Sequence, residues 1–295
     1  MTKFRNIQIA FFILCLSLIH GSFIDLFSKE INPLFYEISI GNSRVYLLGS
    51  IHYGKKEWYP LPEKMLKAFE ESNYLVTEID LNSIQPNLFA RYALAQDGIS
   101  LDEKLKPANY EKITQIFTSM GFQENMLSMF RPWFAAILYQ TNQILTQDSL
   151  SPENGIDIYF SQQAAEKSKE ILEIENAESQ IKLLTEFDNF ADLLIESTDE
   201  ESENNDMNQL ITAWEKGDAE AIDLQINKSV QNFPELLGIM TKLLDIRNIG
   251  MADKIEEYLQ TGETYFIVIG AGHLVSQKGI IQLLNKKNKY KINRL

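Results

Sequence analysis

Apolar and polar positions alternate through Phe35–Ile40 (FYEISI), break at Gly41-Asn42-Ser43, and resume at Arg44–Leu48 (RVYLL). That pattern predicts a β-hairpin closed by a Gly/Asn turn. Met65, Leu66 and Phe69 then recur at helical spacing behind Leu61-Pro62-Glu63, which predicts a helix to about Ser72. Tyr74–Ile79 (YLVTEI) is a short apolar run that reads as a buried strand. From Asn82 to Gln147 the apolar period is helical, interrupted near Gly98, Pro107, Gly121 and Pro132. A helix over Gly155–Lys169, a strand over Ile171–Ile174 and a helix over Ala177–Phe190 follow. Residues 210–259 read as mainly helical, Thr264–Ile269 (TYFIVI) as a buried strand, Ile280–Asn288 as a helix and Tyr290–Arg294 as a last strand. Few apolar strands separated by long helical stretches predict an α/β (α+β) fold. The expected architecture is a mixed sheet flanked by helices, with a helical insertion spanning roughly 82–150 and 185–259.

The first 22 residues follow another logic. Lys3 and Arg5 precede a nearly unbroken apolar run from Ile7 to Ile19, and Gly21 and Ser22 are small. This is the pattern of a secretory signal peptide, and the run is too short for an ordinary membrane-spanning helix. The expectation is an exported protein, periplasmic or secreted, whose mature part is one domain over 23–295. Left uncleaved, the segment would anchor it. No later stretch is apolar enough to span a bilayer.

Charge and composition narrow the chemistry. The 295-residue chain carries a net charge of −14, and the basic residues of the signal segment are lost on cleavage. So large an acidic excess excludes a nucleic-acid binder of the ordinary basic kind. The only cysteine, Cys15, and one of three histidines, His20, also lie in the signal segment. Thiol chemistry and intrachain disulfides are thereby excluded from the mature chain, and His52 and His273 are its only imidazoles.

Those two histidines occur in matching settings. RVYLL runs into Gly49-Ser50-Ile51-His52, and TYFIVI runs into Gly270-Ala271-Gly272-His273. Each is an apolar strand, then a glycine, two residues and a histidine. The expectation is that glycine turns the chain sharply and that a helix starts at Leu274. Ligands of open α/β sheets bind at the carboxyl ends of strands. The third apolar strand ends in Glu78, with Asp80 beyond. Two imidazoles and a carboxylate form a common divalent-metal set, and a metal can generate a nucleophile from water at neutral pH. Glu78 as general base is the alternative role. No HExxH helix is present, and Ser50 lies in no G-x-S-x-G elbow. Trp58 and Tyr59 follow the first histidine closely and are candidate pocket walls.

The stretch VYLLGSIHYGKKEWYPLPEKMLKAFEESNYLVTEID, taken with FIVIGAGHLVSQKGIIQLL, resembles the TraB/GumN family, whose animal relatives include the Tiki proteases. RPWFAAIL, GIDIYFSQQA, ILEIENAESQIKLL and LLDIRNIGMADKI extend the resemblance over most of the chain after residue 35. It implies an α/β core distantly like that of the ChaN and erythromycin-esterase group. It also implies a metal-dependent hydrolase site of the Tiki kind, acting on peptides, with Mn or Co as the metal and Zn as a further candidate. Carried over residue by residue, it falls on His52, Glu78 and His273 for catalysis and metal. Arg247 and Asn248 match the family's Arg-Asn pair as candidate substrate-binding residues, and Asp157 and Glu175 lie in matching segments. The competing reading is a non-enzymatic protein that sequesters a peptide, or haem through an imidazole.

Overall fold

The structure, a computed structural model, describes residues 29–80, 85–146, 150–197 and 200–295. The expected signal segment lies outside them. Among the described residues no helix is long and apolar enough to cross a membrane.

Six strands form one mixed sheet: β1 (Phe35–Ile40), β2 (Ser43–Ser50), β3 (Tyr74–Thr77), β4 (Glu170–Glu173), β5 (Thr264–Gly270) and β6 (Lys291–Arg294). Their spatial order is β4-β3-β5-β2-β1-β6. β4, β3, β5 and β2 run parallel to one another, while β1 is antiparallel to both β2 and β6. The central strands read as unbroken apolar runs because both faces are covered. Side chains alternate between faces. Phe266 of β5 meets Phe69 of helix Glu63–Glu71 at 5.5 Å and Phe160 of helix Ile156–Glu166 at 4.6 Å between ring centroids. Its neighbour Tyr265 stacks on Tyr258 of helix Arg247–Tyr258 at 4.5 Å on the other face.

The helices of the predicted insertion pack in two apolar clusters. Helices Pro86–Ala93, Pro107–Ser119 and Pro132–Leu145 each start at a proline, whose missing N–H costs nothing at a helix start. They build a second apolar cluster around Phe117, Phe130, Trp133 and Phe134, joined by Ile181, Phe187 and Ile195 from further along the chain. Helices Glu200–Lys216, Ala219–Asn232 and Arg247–Tyr258 instead bury Trp214, Ile222, Met251 and Ile255 in the sheet core. Much of the 185–259 stretch therefore belongs to the core layer and not to a separate insertion.

Two local expectations are corrected. β2 continues through Gly49 and Ser50, so Gly49 does not make the turn. Close approach favours glycine there: a Cβ would lie 3.1 Å from the Ala271 Cα and 3.0 Å from Leu274 Cδ1, so these neighbours would have to give by a few tenths of an ångström. No helix starts at Leu274 either. Ala271–His273 is a single 3-10 turn, and the next helix begins at Ile280. No helix N-terminus follows directly on His273, so a helix dipole does not support the ring.

Candidate functional site

Four neighbouring parallel strands each deliver one polar side chain just past their carboxyl ends. In spatial order these are Glu175 after β4, Glu78 after β3, His273 after β5 and His52 after β2. Backbone bonds continue the β3–β4 pairing past the strands, with Ile174 N–H donating to Thr77 O (2.9 Å) and Glu175 N–H to Glu78 O (3.0 Å). Two helices complete the cluster. Arg247 begins helix Arg247–Tyr258 directly after a π-helical turn, Thr241–Ile246, an element frequent at functional sites. Asp157 lies in the first turn of helix Ile156–Glu166.

Arg247 locks the two glutamates together. Its Nη2 donates to Glu78 Oε2 at 2.6 Å, and its Nε donates to Glu175 Oε1 at 2.9 Å. Gln180 adds bonds from Nε2 to Glu78 Oε2 (3.1 Å) and Glu175 Oε2 (2.7 Å). The Gly270 N–H donates to Glu78 Oε1 at 2.8 Å. Burial works against the charge on Glu78. His273, Arg247, His52 and the Gly270 N–H outweigh it and hold the carboxyl down at about 2. Glu78 is thus an anion at any physiological pH and a weak proton acceptor.

The two imidazoles are held alike from different helices. His273 Nδ1 lies 2.6 Å from Asn248 Oδ1, and Asn248 Nδ2 donates to the Lys278 carbonyl at 3.0 Å. A carbonyl only accepts, so the amide must turn its oxygen to the ring, and Nδ1 must carry the hydrogen. The Nε2 lone pair is left facing Glu78 Oε1, 3.9 Å away. Burial pushes the His273 pKa down, against the pull of Glu78, so the ring is neutral. His52 Nδ1 donates to Asp157 Oδ2 at 3.1 Å. Asp157 is the main reason that the His52 pKa is raised to about 9, and the ring is two-thirds exposed.

The expected metal trio is only partly assembled. Glu78 and His273 face one another, while His52 is turned onto Asp157. Among the described residues no group of three or more His, Cys, Asp or Glu side chains is placed to hold a metal ion. The donor chemistry nonetheless fits a divalent ion. Each imidazole has an oxygen partner on Nδ1, the outer-shell arrangement usual for metal-binding histidines, with Nε2 directed elsewhere. The Nε2 lone pair of His273 and the Glu78 oxygen are two acceptors facing across a short gap, which a cation or a hydrogen donor would bridge.

The remaining candidates take other places. Arg247 is not free for substrate, because two carboxylates neutralise it. Asn248, 1 % exposed, positions His273. Trp58 is not a pocket wall: it is fully buried against Trp214 (4.6 Å), and its Nε1 donates to Glu215 at 2.8 Å. Tyr59 is half-buried, donates to the Asn154 carbonyl at 2.8 Å and packs on Tyr159. Gln180 went unrecognised in the sequence. The only signal was Asn176, which caps helix Ala177–Leu184 by accepting from the Ser179 N–H, so that Gln180 falls in the first turn facing the strand ends. Beside Arg247 opens a groove of about 310 Å³, walled by Leu183 and Ile246 and bordered by Glu175, Gln180 and Lys242.

Known proteins carry related chains. A protein of Escherichia coli K12, YbaP, itself uncharacterized, is 26 % identical over 246 residues, 83 % of this chain and 89 % of its own. An uncharacterized protein of Treponema pallidum is 23 % identical over 58 % of this chain and 52 % of its own. A protein of the sponge Amphimedon queenslandica named as a metalloprotease TIKI homolog is 25 % identical over 85 % of this chain, which spans 59 % of that longer protein. No solved structure matches. The model of the TraB/PrgY/gumN family covers residues 34–294, from the strand before the first GxxH motif to the last strand of the sheet. The strand-end cluster of His52, Glu78, Glu175 and His273 lies wholly within that span, and the chain belongs to the TraB/PrgY/gumN family.

Proposed function

We propose that this protein is an exported metal-dependent hydrolase acting on peptide bonds. The observation that carries the reading is the pair of imidazoles, each with Nδ1 committed to an oxygen and Nε2 directed away from it, at the strand ends that present Glu78. The sponge relative's name as a metalloprotease favours the same chemistry. His52 and His273 through Nε2, and Glu78 through Oε1, would hold Mn²⁺, Co²⁺ or Zn²⁺. The ion supplies Lewis acidity to the reacting carbonyl or water.

The chain's own residues do the rest. Arg247 and Gln180 fix the Glu78 carboxylate and keep it charged. Asn248 keeps the His273 lone pair on Nε2. Asp157 keeps His52 protonated, so binding an ion through His52 must release a proton. The groove beside Arg247, with its apolar walls, offers room for a substrate side chain.

The test uses residues 23–295 stripped of metal. Mn²⁺, Co²⁺ and Zn²⁺ are titrated by calorimetry into wild type and the His52→Ala/His273→Ala variant, with a peptide-library digest alongside. The reading expects about one ion per chain, proton release on binding, and cleavage, all lost in the variant. Tight binding of peptide or haem without turnover, and no specific metal binding, would replace it with a sequestering protein.

A further inference from the structure

We propose that Ser50 is a substrate-contacting residue, its hydroxyl donating a hydrogen bond to the carbonyl oxygen of the bond under attack. The inference rests on the hydrolase reading and adds to it a residue inside the first GxxH motif.

Ser50 is 4 % exposed, and its Oγ has no hydrogen-bond partner among the described residues. A buried hydroxyl without a partner is costly, and such groups are uncommon unless something outside the folded chain satisfies them. The sheet fixes where it faces. Ser50 pairs with Gly270 in the parallel β2–β5 ladder, two register steps past Leu48 with Val268 and four past Tyr46 with Phe266. All these positions share the sheet face that carries helix Ile156–Glu166. On that face a Cβ at Gly270 would come 3.3 Å from Glu78 Oε1 and 3.6 Å from His273 Cδ2. Ser50 therefore lies one strand spacing, about 4.8 Å, from the floor of the Glu78–His273 gap. Asp157 lies in the first turn of the helix on this face, and its Oδ1 is also buried with no hydrogen-bond partner among the described residues.

The balance of donors and acceptors gives the hydroxyl its role. Glu78 Oε1, His273 Nε2 and Asp157 Oδ1 are all acceptors. Of the donors described above, Arg247, Gln180 and the Gly270 N–H are engaged on carboxylates, Asn248 on Lys278 O and each imidazole Nδ1 on its own partner, while the Nε2–H of protonated His52 is given up when that nitrogen takes the metal. A carbonyl oxygen entering this site needs a donor, and Ser50 Oγ–H is uncommitted. A peptide group also brings its own N–H, which is what Asp157 Oδ1 lacks. A donor aimed at a carbonyl oxygen that gains charge strengthens in the transition state.

The test compares wild type with Ser50→Ala and Ser50→Thr in the metal-loaded protein, using the best-cleaved library peptide. Ser50→Ala is expected to melt at or above the wild-type temperature, since it removes an unsatisfied buried hydroxyl. It should lose about 100-fold in kcat with KM within about two-fold, and Ser50→Thr should recover most of the loss. Unchanged kcat in Ser50→Ala would overturn the proposal. So would a melting temperature lowered by several degrees, because the hydroxyl would then be structural. Labelling of Ser50 by a fluorophosphonate would overturn it in favour of a covalent nucleophile. If the wild type cleaves nothing, the hydrolase reading falls by itself. The melting comparison then still decides whether Ser50 is held at a cost to stability.

Discussion

Asp157 and Asn248 perform one task on two imidazoles, and their difference in charge separates the rings. Asp157 is an anion against an exposed ring, so His52 gains a proton. Asn248 is a neutral amide against a buried ring, so His273 loses one. Asp157→Asn should therefore bring the His52 pKa from about 9 down toward the ordinary value near 6.5. NMR titration of the imidazole protons in metal-free protein measures this, and a value still near 9 would place the cause elsewhere. Asn248→Ala should leave the fold intact and free the His273 tautomer. The expected loss is about 10- to 100-fold in metal affinity or turnover, as when a partner of a metal-binding histidine is removed. Nitrogen-15 NMR of the ring reads the tautomer directly, and an unaltered Nδ1–H signal in the variant would sink the argument.

Strands β2, β3 and β5 announce themselves because strands buried on both faces need unbroken apolar runs, and an unbroken run ending in a polar residue points to a sheet edge. That logic identified His52, Glu78 and His273 together. What the sequence could not display is how side chains meet across long separations. Trp58 finds Trp214 and Glu215 more than 150 positions away, so it is core and not pocket wall. Arg247 had Asp245 and Asp253 as near neighbours, yet those pair with Lys278 and Lys287 while Arg247 reaches Glu78 and Glu175. The apolar Leu274 and Val275 suit a helix start after His273, but they pack into the core from a turn instead. The same turn explains Gly49. Ala271 backbone presses on β2 so closely that Gly49→Ala must displace it, at a cost of about 1–3 kcal/mol. Urea unfolding would measure that cost, and a midpoint equal to wild type would show that the turn has slack.

Across the whole molecule, the site's charges should set the pH range in which the metal-free protein is most stable. Glu78 has a folded pKa of about 2 against an ordinary value of 4.5. Its contribution is therefore complete above about pH 4.5 and disappears as pH falls through 2. The side chain is 17 % exposed, so most of this shift counts, on the order of 3 kcal/mol. Glu215 acts in the same direction. Burial opposes its charge, but Lys29, Trp58 and Lys55 prevail, tying the first described residues to helix Glu200–Lys216. His52 works at the other end. Its raised pKa stabilises fully below about 6.5 and is lost as pH rises through 9. Solvent screens this exposed ring, which limits the effect to about 1 kcal/mol or less. Burial lowers the His273 pKa, so protonating that ring costs stability as pH falls below about 6.5. Stability should accordingly peak near pH 6.5, fall steeply on the acid side and gently on the alkaline side. Glu78→Gln separates the causes. At pH 7 it leaves Arg247 with one charge partner fewer and should melt well below wild type. Below about pH 3 wild-type Glu78 is itself losing its charge, so the two melting curves should converge. Curves that stay parallel from pH 7 to pH 3 would mean that the acid sensitivity arises outside the strand-end cluster.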